Sequence, residues 1–204
     1  ADQLDRLILA VTSERQSDFL EQVVKQAGVK VPVLAALDTG LGREGARDVE
    51  QMKSLLGKLE KSSVLDPIGI YTHEGHCYSV EPERLNEAVD RVYDTLIAVS
   101  DAVGEKYLLA PGCSVSAARM ATKPRIAMVR PGAYPLADMS MARRHKLVEW
   151  SQVAATVLAT VVERPEQGLA LIDAGSKTFS GDKTQNGESG RGWVNPELVV
   201  QRVN

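Results

Sequence analysis

The sequence predicts an α/β fold, a partial (β/α)8 (TIM-like) barrel over residues 1–145 followed by the start of a β domain over residues 146–204. Three observations carry this reading. Short apolar runs alternate with amphipathic helical segments at least four times, which is the pattern of a parallel sheet with helical crossovers. Aromatic residues are only 4% of the 204 residues, and Ala, Val and Leu dominate. The polar and glycine-rich loops follow the predicted strands, at the end where α/β barrels and open α/β sheets both place their sites. Five predicted strands do not close a full barrel, which takes about 250 residues.

Each element has its own signal. Leu7-Ile8-Leu9-Ala10-Val11 is an apolar run that reads as a buried strand. Ser13 with Gln16 three residues on has capping-box spacing. Phe19, Leu20, Val23, Val24 and Ala27 then repeat at helical period, and Gly28 closes the helix. Residues 31–37 form the next strand, leading into the glycine-rich turn Asp38-Thr39-Gly40-Leu41-Gly42-Arg43. Ala46, Val49, Met52, Leu56 and Leu59 mark a second helix. Residues 64–71 are a third strand that ends in two histidines, a thiol and two tyrosines. Pro82 stands where a helix begins, and Leu85, Ala88, Val89, Val92, Leu96 and Val99 carry it to Gly104. Residues 107–110 are a fourth strand and 126–129 a fifth. Beyond Met141 the texture changes: residues 151–162 read as a long strand, 169–173 as another, 174–182 as turn-rich and 183–192 as flexible.

Composition excludes several functions. A hydrophobic content of 44% fills an ordinary core, and a net charge of −3 leaves no basic footprint for nucleic acid. No apolar run approaches the roughly 20 residues that span a bilayer, and no signal pattern opens the chain. Cys77 and Cys113 read as reduced thiols of a cytoplasmic protein. The first residue is Ala1 rather than Met, which suggests trimming.

The polar loops offer candidate chemistry. His73 and His76 have H-x-x-H spacing, which could bind zinc if a third ligand were present, and Cys77 is adjacent. Arg43 ends a turn that matches neither phosphate-loop nor dinucleotide motifs; it is either a solvated charge or a donor to an anionic ligand. Gly112-Cys113-Ser114-Val115-Ser116 opens a helix after a strand, so its amides either meet a phosphate or are simply capped by Ser114. At Gly132-Ala133 the backbone can approach a phosphate closely. Lys177 reads as structural.

Together these segments resemble the fold-type III pyridoxal-phosphate enzymes, the alanine-racemase-like barrels, in their D-threonine aldolase / D-serine dehydratase branch. The matching stretches are Asp38-Thr39-Gly40-Leu41-Gly42-Arg43-Glu44-Gly45, Tyr71-Thr72-His73-Glu74-Gly75-His76-Cys77-Tyr78, Arg130-Pro131-Gly132-Ala133-Tyr134 with Asp138, and residues 173–182. They occur in family order. The resemblance implies pyridoxal 5'-phosphate as cofactor, with Arg43 on its phenolic oxygen and His73 against the pyridine face. Arg130 would face the pyridine nitrogen, and Tyr71 and Tyr78 would line the pocket. Gly112, Cys113, Ser114, Gly132 and Ala133 would hold the phosphate, although Cys113 and Val115 depart from the family's Ser/Thr/Gly-rich loop.

The family's Schiff-base lysine and its His-x-Asp or His-x-Cys metal pair have no match in the chain. The expectation is therefore a central portion of a longer enzyme, inactive by itself, whose parent binds a divalent metal, forms a homodimer and acts on a small D-amino acid. Retro-aldol cleavage of a D-3-hydroxy amino acid leads, with dehydration of D-serine or 3-hydroxyaspartate, or racemisation, as alternatives. Outside the family stand a zinc barrel hydrolase using His73 and His76, and a non-catalytic pyridoxal-phosphate binder.

Overall fold

The computed structural model describes residues 7–179, 192–195 and 199–200. The segment expected to be flexible, 183–192, lies outside the described residues up to position 191, as do positions 180–182 of the turn-rich stretch. The chain forms two compact units that part between Gly132 and Ala133, whereas the sequence suggested a boundary at 145/146.

The first unit is a partial α/β barrel. Its strands β1 (Leu9–Val11), β2 (Val31–Leu37), β3 (Leu65–Thr72) and β4 (Leu108–Pro111) pair in that order, all parallel. Three helices alternate with them: α1 (Glu14–Ala27), α2 (Val49–Glu60) and α3 (Leu85–Val103). In β2, Val31, Val33, Ala35 and Leu37 pack toward α1, α2 and α3, while Leu34 and Ala36 join Tyr71 and Ala110 on the opposite face. That alternation is the two-residue period of a pleated strand covered on both faces.

Local chemistry sets the helix ends. Ser13 accepts the Gln16 amide at 3.2 Å, and Gly28 at φ 67° closes α1 with its N–H on the Lys25 carbonyl. The reciprocal half of the expected capping box is displaced by one residue, because Gln16 Oε1 accepts from the Thr12 amide and hydroxyl instead of from Ser13. Phe19 and Val23 were expected in the core but are 67% and 45% exposed. The buried stripe of α1 runs through Ser17, Leu20 and Val24, and Phe19 and Val23 lie one step round the helix from it. Asp48 caps α2, and Pro82 opens a 3₁₀ turn leading into α3.

The fifth strand is only begun. Ile126 bridges Leu109, and the Arg130 amide reaches the Pro111 carbonyl at 3.0 Å, but the amides of Ala127 and Met128 both converge on the Leu109 carbonyl. Two consecutive donors on one acceptor break the alternation a ladder needs. A second apolar cluster, with Cys77, Leu85, Val89, Cys113, Val115 and Met120, lies beneath the loops that leave β3 and β4.

In the second unit, β5 (Val161–Glu166) and β6 (Leu169–Ile172) form an antiparallel pair, and β7 (Gly192–Trp193) pairs with β8 (Val199–Val200). The long strand expected over 151–162 is a correction: a 3₁₀ turn at Trp150–Gln152, capped by Glu149, starts it, and pairing begins only at Val161. β6 is four residues long, so it offers no partner to the upstream residues.

Candidate functional site

The carboxyl ends of β2 and β3 frame a small, partly open cleft lined by Leu37, Asp38, Leu41, Arg43, Glu44, Tyr71 and His73. Asp38 builds one rim. Its Oδ1 accepts the amides of Gly40 and Gly42, each at 3.0 Å, which folds the glycine-rich turn over the strand end. Burial opposes its ionisation, but the amides of Gly42, Gly40 and Leu41 and the Arg47 charge outweigh that, so its pKa is lowered. Thr39 and Thr72 tie the two strand ends through their hydroxyls at 2.8 Å.

Arg43 lies in the cleft with its guanidinium engaged on both oxygens of Glu44, at 2.6 and 2.8 Å. That pairing draws the Glu44 pKa down and raises that of Arg43. Tyr71 is 5% exposed, and burial raises its pKa, with Glu44 adding to the effect against Arg130 and Arg43. The Arg130 guanidinium stacks on the Tyr71 ring, its central carbon 4.7 Å from the centroid. Its Nη2 donates to the carbonyls of Thr72 at 2.8 Å and Ala110 at 3.0 Å, and its Nε to Ala110 at 3.2 Å. Burial lowers its pKa, and Glu74, Tyr71 and Glu44 offset part of this.

His73 donates from Nδ1 to the Gly112 carbonyl. Beside it, Glu74 is fully buried; it accepts the Gly112 amide at 3.0 Å and the Ser116 hydroxyl at 2.6 Å. A Cβ at Gly112 would stand 2.9 Å from the Arg130 guanidinium carbon, so only glycine leaves that stack in place. His76 lies over Gly40, with its Nδ1 buried and without a hydrogen-bond partner.

The other expected residues separate from the cleft. Tyr78 sits in the 3₁₀ turn Gly75–Ser79 and packs on the second apolar cluster. Cys113 turns its thiol into the same cluster, where burial pushes its pKa up to about 11. Its thiol is therefore not offered to a phosphate, and the Gly112 amide is already engaged by Glu74. Ser114 is 8% exposed, just ahead of the short helix α4 (Ala117–Met120). Gly132 is exposed with open space about it, and Ala133 begins the second unit. Lys177 is exposed. The zinc reading lacks ligands, because among the described residues no three of His, Cys, Asp and Glu gather to hold a metal.

Glu44 and Glu74 escaped the sequence reading. The signal available was their place, each directly after a candidate site residue at a strand exit.

Comparison with known families settles the lineage. The family model for the alanine racemase N-terminal domain matches residues 1–136. The chain belongs to the alanine racemase N-terminal domain family. A model for a serine dehydratase domain matches residues 154–204 beyond it. Among curated proteins no significant sequence match is found. Solved structures share the fold of this alanine-racemase-type chain. D-threo-3-hydroxyaspartate dehydratase from Delftia sp. HT23 is 24% identical with a TM-score of 0.85, over 97% of this chain and 56% of its own. D-threonine aldolase from Filomicrobium marinum is 24% identical with a TM-score of 0.76, over 85% and 48%. An alanine racemase-like protein from Idiomarina loihiensis is 20% identical with a TM-score of 0.72, over 89% and 50%. The chain thus spans about half the length of these solved relatives. Among the described residues, no helix is long and apolar enough to cross a membrane.

Proposed function

We propose that this chain is the cofactor-holding part of a pyridoxal-phosphate-dependent lyase that acts on D-3-hydroxy amino acids by retro-aldol cleavage to glycine and an aldehyde. The observation that carries the reading is the meeting of Arg43, Tyr71 and His73 in one cleft at the carboxyl ends of β2 and β3, in a chain of the alanine racemase family. A flat imidazole, a stacked tyrosine–arginine pair and an arginine fork suit a planar, anionic, phenolic ring.

When bound, pyridoxal phosphate supplies an electron-withdrawing ring that delocalises the negative charge developing on the substrate. The chain's own groups do the rest. Arg43 would donate to the phenolic oxygen, exchanging Glu44 for the ligand. His73, with Nδ1 held by the Gly112 carbonyl, would lie against the ring. Arg130 has Nε and Nη2 engaged by backbone carbonyls, so Nη1 is the donor it offers to the pyridine nitrogen. An arginine keeps its charge even with a lowered pKa, so this donor would keep a pyridine nitrogen facing it unprotonated. Burial raises the Tyr71 pKa further above neutral, so its hydroxyl stays a donor well into the alkaline range. Among the described residues no lysine lines the cleft, in keeping with a covalent anchor elsewhere in the parent protein. A divalent metal, a homodimeric parent and cytoplasmic residence belong to the same proposal, the last supported by two free, buried cysteines.

A dehydratase reading is favoured by the serine dehydratase domain match over residues 154–204. It takes the same cleft with β-elimination to a 2-oxo acid and ammonia. Two experiments test the proposal. Titrating the chain with pyridoxal phosphate should give saturable, non-covalent binding that weakens about tenfold in Arg43→Ala, roughly one charged hydrogen bond. A borohydride-trapped adduct on one lysine of this chain would contradict the external anchor. In the full-length protein, D-threonine-like substrates should yield glycine plus aldehyde; oxo acid plus ammonia would favour the dehydratase, and neither product would sink both.

A further inference from the structure

We propose that Glu74 is a positioning residue of this site, setting His73 through the peptide groups of Gly112. The inference rests on the cofactor reading for its consequence, and on the geometry alone for its mechanism. Glu74 follows His73 directly, at the point where β3 becomes the 3₁₀ turn Gly75–Ser79. It is 0% exposed, and a carboxyl group at such depth persists only with its hydrogen bonds made. Its two partners are both on the loop leaving β4: Oε2 accepts the Gly112 amide at 3.0 Å and Oε1 the Ser116 hydroxyl at 2.6 Å. The same Ser116 hydroxyl also lies 3.1 Å from the Cys113 carbonyl, a second acceptor for its single proton, and one carboxyl group spans both ends of that loop.

Gly112 is therefore gripped on two sides by consecutive residues. Its N–H goes to Glu74 and its carbonyl accepts the His73 Nδ1 proton. The space a side chain would fill at Gly112 holds the Arg130 guanidinium. The Gly112 N–H belongs to the peptide from Pro111 and its carbonyl to the peptide into Cys113; by holding that N–H at one end and the Ser116 hydroxyl at the other, Glu74 limits how the carbonyl between them can turn, and the carbonyl sets the His73 ring with its proton on Nδ1. Glutamate is the length this needs, since aspartate is one methylene short of reaching both partners. Its charge is not required, because a glutamine carbonyl can accept from Gly112 while its amide donates to the Ser116 oxygen.

The test reads His73 directly, in unliganded protein. In ¹⁵N spectra of the imidazole nitrogens, the unaltered chain should show a hydrogen-bonded His73 Nδ1 proton and a slowly exchanging Gly112 amide. Glu74→Gln should keep both. Glu74→Asp should lose both, with exchange faster by about tenfold or more while the far-ultraviolet spectrum is retained. In a separate arm, pyridoxal-phosphate affinity should fall about tenfold in Glu74→Asp and stay near the original in Glu74→Gln. If the unaltered chain does not bind pyridoxal phosphate, the cofactor reading fails while the imidazole spectra still judge Glu74. A folded Glu74→Asp with the His73 and Gly112 signals unchanged overturns the proposal, as does a folded Glu74→Gln that loses them. Should Glu74→Asp not fold, the other two proteins decide: protection in both supports the proposal, and fast exchange of the Gly112 amide in the unaltered chain overturns it.

Discussion

Single residues at the strand exits make sharp demands on their surroundings. His76 has its pKa lowered, first by burial, while the charges of Glu74 and Asp38 pull it up and those of Arg91 and His73 push it down. A histidine held neutral in the fold takes up its proton more readily when unfolded. Its share of stability is therefore complete above the ordinary histidine value near 6.5 and is lost as pH falls from there toward the lowered folded pKa. Denaturant midpoints between about pH 7 and 5 should decline, and His76→Asn should flatten that part of the decline. Asp38 adds its own loss at more acidic pH, since its lowered carboxyl value contributes only above it. At Gly112, an added methyl group would stand 2.9 Å from the Arg130 guanidinium and 3.0 Å from its Cβ. Gly112→Ala should therefore lift Arg130 off Tyr71 and away from its carbonyl partners, and pyridoxal-phosphate titration should show about a tenfold weaker complex together with a lower melting temperature.

At the scale of elements, the sheet and its helices form one interlocked layer. Leu59 is fully buried at the end of α2 among strand and helix residues, so Leu59→Ala should cost about 2–5 kcal/mol in urea unfolding. Gly69 is stricter, because a Cβ there would meet the Leu108 carbonyl oxygen at 2.6 Å and Leu34 Cδ2 at 2.7 Å. Backbone cannot yield as a side-chain tip can, and Gly69→Ala should destabilise by roughly 2–4 kcal/mol by prising β4 from β3. These elements were legible in the sequence because their apolar residues keep a period: Leu85, Ala88, Val89, Val92, Leu96 and Val99 are buried in α3 as spaced. Arg43, Tyr71 and His73 were legible by motif and do share a cleft. Glu74 was not, since nothing in a lone carboxylate at a strand end says that a distant glycine amide will meet it. Nor was the shortfall of the fifth strand, which is decided by how two amides share the Leu109 carbonyl rather than by residue type.

For the molecule as a whole, the second unit differs from the first in how little it covers. Leu158 is 99% exposed, Val162 61%, Leu169 45% and Leu171 44%. Exposed apolar residues in this number mark a surface that binds hydrophobic probes. The chain should enhance anilinonaphthalene sulfonate fluorescence under native conditions, and threonine at Val162 and Leu169 should reduce the signal without moving the melting transition of the first unit. The order of the parallel sheet, β1-β2-β3-β4, is also the order of synthesis. Each ladder, Val11 with Ala35, Leu37 with Thr72 and Thr72 with Pro111, closes only after a helix has been made between its strands. In this order no earlier pairing has to open to admit a later strand. The sheet order therefore permits vectorial assembly, in which each new strand adds to the edge made last and Arg130 comes to stack on Tyr71 after the strands that frame the cleft.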